Sequence, residues 1–184
     1  MGKKLIITEK PSVARDFARV LNVSGRGNGL IENNEFVITW CVGHLVEMLY
    51  PEDYDIKYKK WMLEDLPFLP EQYKYGVIEN VKQQYEIVHN QLHREDIDVV
   101  YWAGDSGKEG QTIEENIRNF GGVRDGMTEL RVWIDSQTEE EILRGIREAK
   151  DSSAYDNLSN AAYLRAKEDY LMGINFLPSQ YFSP

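Results

Sequence analysis

What most constrains the fold of this chain is a strand-length apolar run that passes directly into a helix start, a join that then recurs along the sequence. Residues 3–8, Lys-Lys-Leu-Ile-Ile-Thr, form a short β-type run, and Pro11 follows where a helix can begin without losing a hydrogen bond. Val13, Ala14, Phe17, Ala18 and Leu21 give that predicted helix one apolar face, and three glycines between Asn22 and Gly29 stop it. Residues 35–42 are rich in β-formers and predict a strand running into Gly43-His44-Leu45. Val81, Tyr85, Val88 and Leu92 mark a helix, and residues 97–103 a buried strand that ends on the turn Gly104-Asp105-Ser106-Gly107. Ile113, Ile117 and Phe120 mark the next helix, Gly121-Gly122 closes it, and residues 130–134 supply a further strand. Thr138-Glu-Glu-Glu141 is a capping-box pattern, opening a helix with Ile142, Leu143, Ile146 and Ala149 on its apolar face. Parallel strands need crossover connections, so this alternation predicts a mainly parallel α/β sheet with helices on both faces.

The rest of the chain fits around that unit. Residues 51–70 are punctuated by proline and aromatics, which predicts an irregular surface segment pinned by Tyr54, Tyr58, Trp61 and Phe68. The polar, small residues 151–155 predict a boundary before a last helix from about Asp156 to Asn175, broken at Pro178. At 184 residues the chain accommodates one domain and an appendage rather than two complete domains. No apolar run approaches the roughly 20 residues that cross a bilayer, and the stretch after Met1 is too short for a secretory signal, so a cytoplasmic protein is expected. The single cysteine, Cys41, sits in an apolar run and excludes an internal disulfide or a cysteine metal cluster. The net charge of −10 argues against broad nucleic-acid binding, which needs cations. Residues 1–26, however, carry Lys3, Lys4, Lys10, Arg15, Arg19 and Arg26 against Glu9 and Asp16, a local balance of +4. Such a segment suits a site that meets one stretch of phosphate backbone, and ordinary solvated helix charges account for it equally well.

In an open parallel sheet, functional groups gather beyond the carboxyl ends of the strands. Glu9 follows the first strand, and Asp105 and Glu109 follow the strand ending at Ala103, so packing can bring the three together. Hard oxygen donors of this kind suit Mg²⁺, which takes one or two carboxylates and keeps several waters. Lys10, by its residue type alone, reads as a surface cation beside a helix start, and His44 as a histidine at a strand end. His89 and His93 have a spacing that zinc can use, but no third ligand is evident and a solvated helix face is the simpler reading.

The wording of the chain adds to its spacing. Leu-Ile-Ile-Thr-Glu9-Lys10-Pro11-Ser12-Val-Ala14, Trp40-Cys-Val-Gly43-His44-Leu45 and Ala103-Gly-Asp105-Ser-Gly107-Lys108-Glu109-Gly110-Gln111 closely resemble the Toprim domain of type IA DNA topoisomerases. Arg131-Val-Trp-Ile134, Tyr155-Asp-Asn-Leu158, Arg165-Ala-Lys-Glu-Asp169 and Gly173-Ile-Asn175 agree, and Trp-Cys-Val-Gly-His-Leu points to the topoisomerase III-like branch. The resemblance implies a Rossmann-like Toprim domain over residues 1–152 and the start of an adjoining helical domain over 153–184. It implies an enzyme that breaks, passes and reseals single DNA strands. Glu9 would move a proton at the leaving 3′ oxygen, Lys10 would hold the phosphate, and His44 would lie near the scissile strand. Glu9, Asp105 and Glu109 would bind Mg²⁺, and Lys10, Lys108, Arg165 and Lys167 would meet single-stranded DNA, although surface charge explains Lys167 as well.

The family usually shows Asp-x-Asp-x-Glu followed by Gly-Glu, whereas this chain has Gly107 and Gln111 at two acidic positions, so a single, weaker Mg²⁺ site is expected. Lys108 keeps a cation but lacks the fork of the commoner arginine. The family's nucleophilic tyrosine lies downstream of everything matched, and none of the 11 tyrosines has its context, so the isolated chain is expected not to cleave DNA. A free-standing Toprim nuclease and a non-catalytic module that binds DNA or a partner protein are the alternative readings. A monomer is expected.

Overall fold

Leu5, Ile6 and Ile7 are all buried to within 1% of full enclosure, which a strand achieves only when both faces of its sheet are covered. A computed structural model of the chain describes residues 2–60 and 62–176. In it the first strand, β1 (Lys3–Thr8), leads into α1 (Pro11–Val20) with Pro11 in the first turn, as the sequence predicts. There follow β2 (Gly25–Gly27), β3 (Leu30–Glu32), β4 (Phe36–Trp40), β5 (Val46–Met48), β6 (Tyr75–Val77) and α2 (Lys82–Leu92). The remainder is β7 (Ile97–Ala103), α3 (Lys108–Gly121), β8 (Thr128–Arg131), α4 (Glu139–Arg147), β9 (Lys150–Asp151) and α5 (Asp156–Phe176).

The main sheet has the order β2-β3-β4-β1-β7-β8-β9. Its centre, β4-β1-β7-β8, is parallel, and both margins are antiparallel. The two-residue period of β1 sends Leu5 and Ile7 to one face and Ile6 to the other. Leu5 and Ile7 pack with Val88 and Leu92 of α2 and Ile113 and Ile117 of α3. Ile6 packs with Val13, Ala14 and Phe17 of α1 and Ile142 of α4. This is the three-layer α/β arrangement expected from the alternation.

The differences from the expectation lie at the margins. The Asn22–Gly29 stop contains β2, which pairs with β3 as a hairpin on the edge of β4. A separate β5–β6 pair was also not legible. The expected strand 130–134 is regular only as Thr128–Arg131, although Val132 N–H still donates to Trp102 O at 2.9 Å. The Thr138 hydroxyl does cap α4 by accepting from Glu141 N, but Glu141 reaches back to Asp135 N rather than closing a reciprocal box. Leu143 and Phe120, placed on apolar faces by periodicity, are 42% and 43% exposed.

The 51–70 segment is pinned by aromatics as expected. Phe68 is buried edge-on between Tyr54 and Tyr58, each with its ring centre 5.1 Å away, and also meets Tyr170 of α5. Its backbone exchanges hydrogen bonds with the Asn175 amide, which ties the segment to α5. The expected roles of Trp61 and Pro178 lie outside the described residues. Among the described residues no helix is long and apolar enough to cross a membrane.

Candidate functional site

The carboxyl ends of β1 and β7 lie side by side, with Thr8 in register with Ala103. The helices that follow them, α1 and α3, pack on opposite faces of the sheet, so the chain parts here and leaves a crevice. Its volume is about 680 Å³, and its walls include Glu9, Lys10, Val42, Gly43, Asp105 and Glu109. Neither helix start carries a side-chain cap, so amide N–H groups face this end with a favourable field for an anion.

Three of the side chains meet directly. Lys10 Nζ lies 2.7 Å from Asp105 Oδ2 and 3.2 Å from Glu9 Oε1. Asp105 N–H donates to the other oxygen of Glu9 at 3.3 Å. Asp105 first and Glu9 second hold the Lys10 ammonium above the usual lysine range. Glu9 is only 6% exposed, and the Thr8 hydroxyl donates to Lys10 O and fixes the turn that presents it. Two carboxylates thus share one cation at the mouth of the crevice. Glu109, in the first turn of α3, stands exposed on the wall with no protein partner among the described residues.

Among the described residues no three His, Cys, Asp or Glu side chains gather closely enough to hold a metal by themselves. The donor set nevertheless fits a hard divalent cation, because two carboxylates already converge on a positive charge and Mg²⁺ retains much of its water. Gly107 explains one missing carboxylate. Its φ of 153° with ψ of −179° is a conformation open to glycine and strained for any other residue. Gly110 has a second constraint, since a Cβ there would lie 2.2 Å from Asp105 O.

The loop is held from beneath by residues to which the sequence reading assigned no role. Arg131 is 1% exposed, and its guanidinium donates to the carbonyls of Trp102, Gly104, Asp105 and Val132. It also pairs with Glu114 at 3.1 Å, whose carboxylate accepts from Gly104 N–H at 2.7 Å. Burial pushes the Glu114 carboxyl up to about 7, against the pull of Arg131 and of the Gly104 N–H. An arginine inside a buried strand pattern was the available signal, because such a charge demands partners. Gln111 belongs to this network and not to the crevice. It accepts from Arg131 Nε and donates to Glu115 and to Ser159 of α5.

The other candidates stand apart. His44 follows the Gly43 wall, exposed and without a side-chain partner among the described residues. Lys108 begins α3 on the wall. Arg165 pairs with Asp169 at 2.9 Å, and Lys167 lies over the rings of Tyr73 and Tyr163, so neither borders the crevice. His89 and His93 stack on each other on the α2 face. Cys41 is buried, and that burial drives its thiol far above the usual range.

The family model described as the Toprim domain matches residues 4–136. DNA topoisomerase 3 of Bacillus thuringiensis (strain Al Hakam) is 44% identical over 175 residues, 95% of this chain and 24% of that protein. DNA topoisomerase 3 of Bacillus subtilis (strain 168) is 39% identical over the same shares. The chain thus spans about a quarter of the length of these curated relatives. Among solved structures, full-length topoisomerase I from Thermotoga maritima matches 80% of this chain and 21% of its own, with a TM-score of 0.51 at 15% identity, a likeness of fold.

Proposed function

This chain belongs to the Toprim domain family, and from that membership we propose that it is the amino-terminal, Mg²⁺-binding part of a type IA DNA topoisomerase of the topoisomerase III kind. The observation that carries the reading is the meeting of Glu9, Lys10 and Asp105 at the ends of two adjacent parallel strands. One acid, one base-holding cation and one further carboxylate at a crevice faced by two helix starts is an arrangement suited to a phosphodiester.

In this reading Lys10 turns from the carboxylates to the scissile phosphate and Glu9 serves the leaving oxygen. Its carboxyl gives a proton to the 3′ oxygen as the strand breaks and takes it back on resealing. Asp105, Glu109 and Glu9 would hold Mg²⁺, which when bound offsets phosphate charge and orients the ends for rejoining. His44 and Lys108 flank the same strand, and Arg165 and Lys167 would meet single-stranded DNA farther along. Residues 1–152 form the Toprim unit and 153–184 open the adjoining helical domain. Such a protein, a monomer, would work in the cytoplasm.

Calorimetric titration with MgCl₂ tests the site. The chain should bind Mg²⁺, Asp105→Ala should weaken binding at least about tenfold, and Gln111→Ala should weaken it less, since Gln111 does not reach the crevice. Unchanged Mg²⁺ affinity in Asp105→Ala would sink the assignment.

A further inference from the structure

A second groove, of about 550 Å³, runs along the outer side of α1 between that helix and the β2–β3 hairpin. It shares Pro11 with the crevice, so the two adjoin at the start of α1. Its walls carry Arg15, Arg19 and Arg26 together with Trp40, and no carboxylate lines it. In a chain of net charge −10 this is a marked local excess of positive charge.

The arginines there differ from those elsewhere. Of the ten in the sequence, Arg94, Arg118, Arg131, Arg144, Arg147 and Arg165 are ion-paired and Arg124 is bound to backbone carbonyls. Arg19 is paired as well, with Asp16 of its own helix at 3.5 Å. Arg15 and Arg26 are exposed and have no partner among the described residues, and both face this groove. Pro11, Arg15 and Arg19 recur at four-residue spacing, so the guanidiniums stand one turn apart in a row that starts at the crevice. Three fork-shaped cations along one groove, Arg15 and Arg26 of them unpaired among the described residues, are suited to successive phosphates. Trp40, half-buried at the end of β4, contributes an aromatic surface of the kind on which bases stack.

We infer that this groove is a second nucleic-acid subsite, which holds the backbone of a single strand leaving the crevice over Pro11. The direction of the strand rests on the function proposed above, whereas the chemistry of the groove stands by itself.

The test is anisotropy of a labelled oligothymidylate with the whole chain, in EDTA, over a series of NaCl concentrations. Arg15→Gln with Arg26→Gln should lower affinity at least about tenfold and flatten the log–log salt slope by about 1.4, since each phosphate contact on a single strand contributes roughly 0.7. Trp40→Leu should weaken binding with the slope unchanged. Arg147→Gln, at an exposed arginine that lines neither the crevice nor this groove, should leave both intact. Equal DNA binding by the double arginine variant would overturn the subsite, as would equal competition from polyglutamate, which would mark an acidic protein partner instead. A chain that binds DNA through these arginines yet shows no Mg²⁺ binding would retain the subsite and remove only the metal reading.

Discussion

Glu114 is only 6% exposed, and the cation beside it, Arg131, is already shared among four carbonyls. Burial therefore outweighs the ion pair, and the carboxyl is held at about 7 against an ordinary 4.5. Because the folded value is the higher one, the contribution to stability is complete below about pH 4.5 and fades as pH rises through 7. The difference corresponds to about 3 kcal/mol at most. Glu114→Gln keeps an oxygen for Gly104 N–H and Arg131 but cannot ionise. Its urea midpoint relative to the parent should therefore rise between pH 5 and 8, and a difference that stays constant over that window would refute the assignment. Glu9 and Asp105 were legible as candidate site residues because strand ends and motif wording both mark them, and Lys10 by the wording alone. Glu114 and Gln111 were not, since both lie on α3 and owe their roles to Arg131, a cation on β8. The glutamine at 111 is thereby accounted for: a carboxylate there would replace the donor that now faces Glu115.

At the scale of elements, long runs with one clear period were legible and short ones were not. β1, α1, α2, β7 and α3 each bury a stripe or a whole run, so their hydrophobic pattern reports their partner layer. β2, β3, β5, β6 and β9 have two or three residues each, and their pairing is fixed by the neighbouring strand rather than by their own sequence. α1 is stopped by Asn22, at φ 55°, and not by the glycines after it; Gly29, at φ 70°, instead lets the β2–β3 hairpin turn back tightly enough to wall the arginine groove. α4 offers a direct test of local coding. Its start depends on the Thr138 hydroxyl accepting from Glu141 N at 3.4 Å, a long cap. Thr138→Ala should cost about 0.5–1 kcal/mol, at the low end for lost caps, because Glu141 remains held by Asp135 N and Arg144. Chemical denaturation would measure it, and a loss well above 2 kcal/mol would show that Thr138 does more than cap.

For the whole molecule, charge and chemistry are divided unevenly. The basic opening segment supplies Glu9, Lys10 and the arginine row, while the rest of the chain is about −14, from a total of −10 and a local +4. Breaking a strand reversibly needs a nucleophile whose bond to phosphorus conserves the energy of the phosphodiester. Among the described residues no tyrosine, serine or threonine hydroxyl apart from Ser106 lines the crevice, and Ser106 Oγ is committed to Ile134 O at 2.6 Å. The chain also spans 24% of its relatives' length, so most of what those enzymes contain is not in it. Incubated with Mg²⁺ and negatively supercoiled plasmid, the purified 184-residue protein should leave the topoisomer distribution unchanged on an agarose gel. Relaxation by this chain alone would overturn the reading of it as one part of a larger enzyme. Open-circular product that depends on Mg²⁺ and disappears in Asp105→Ala would instead mean that water attacks at this crevice, which would make the chain a nuclease in its own right.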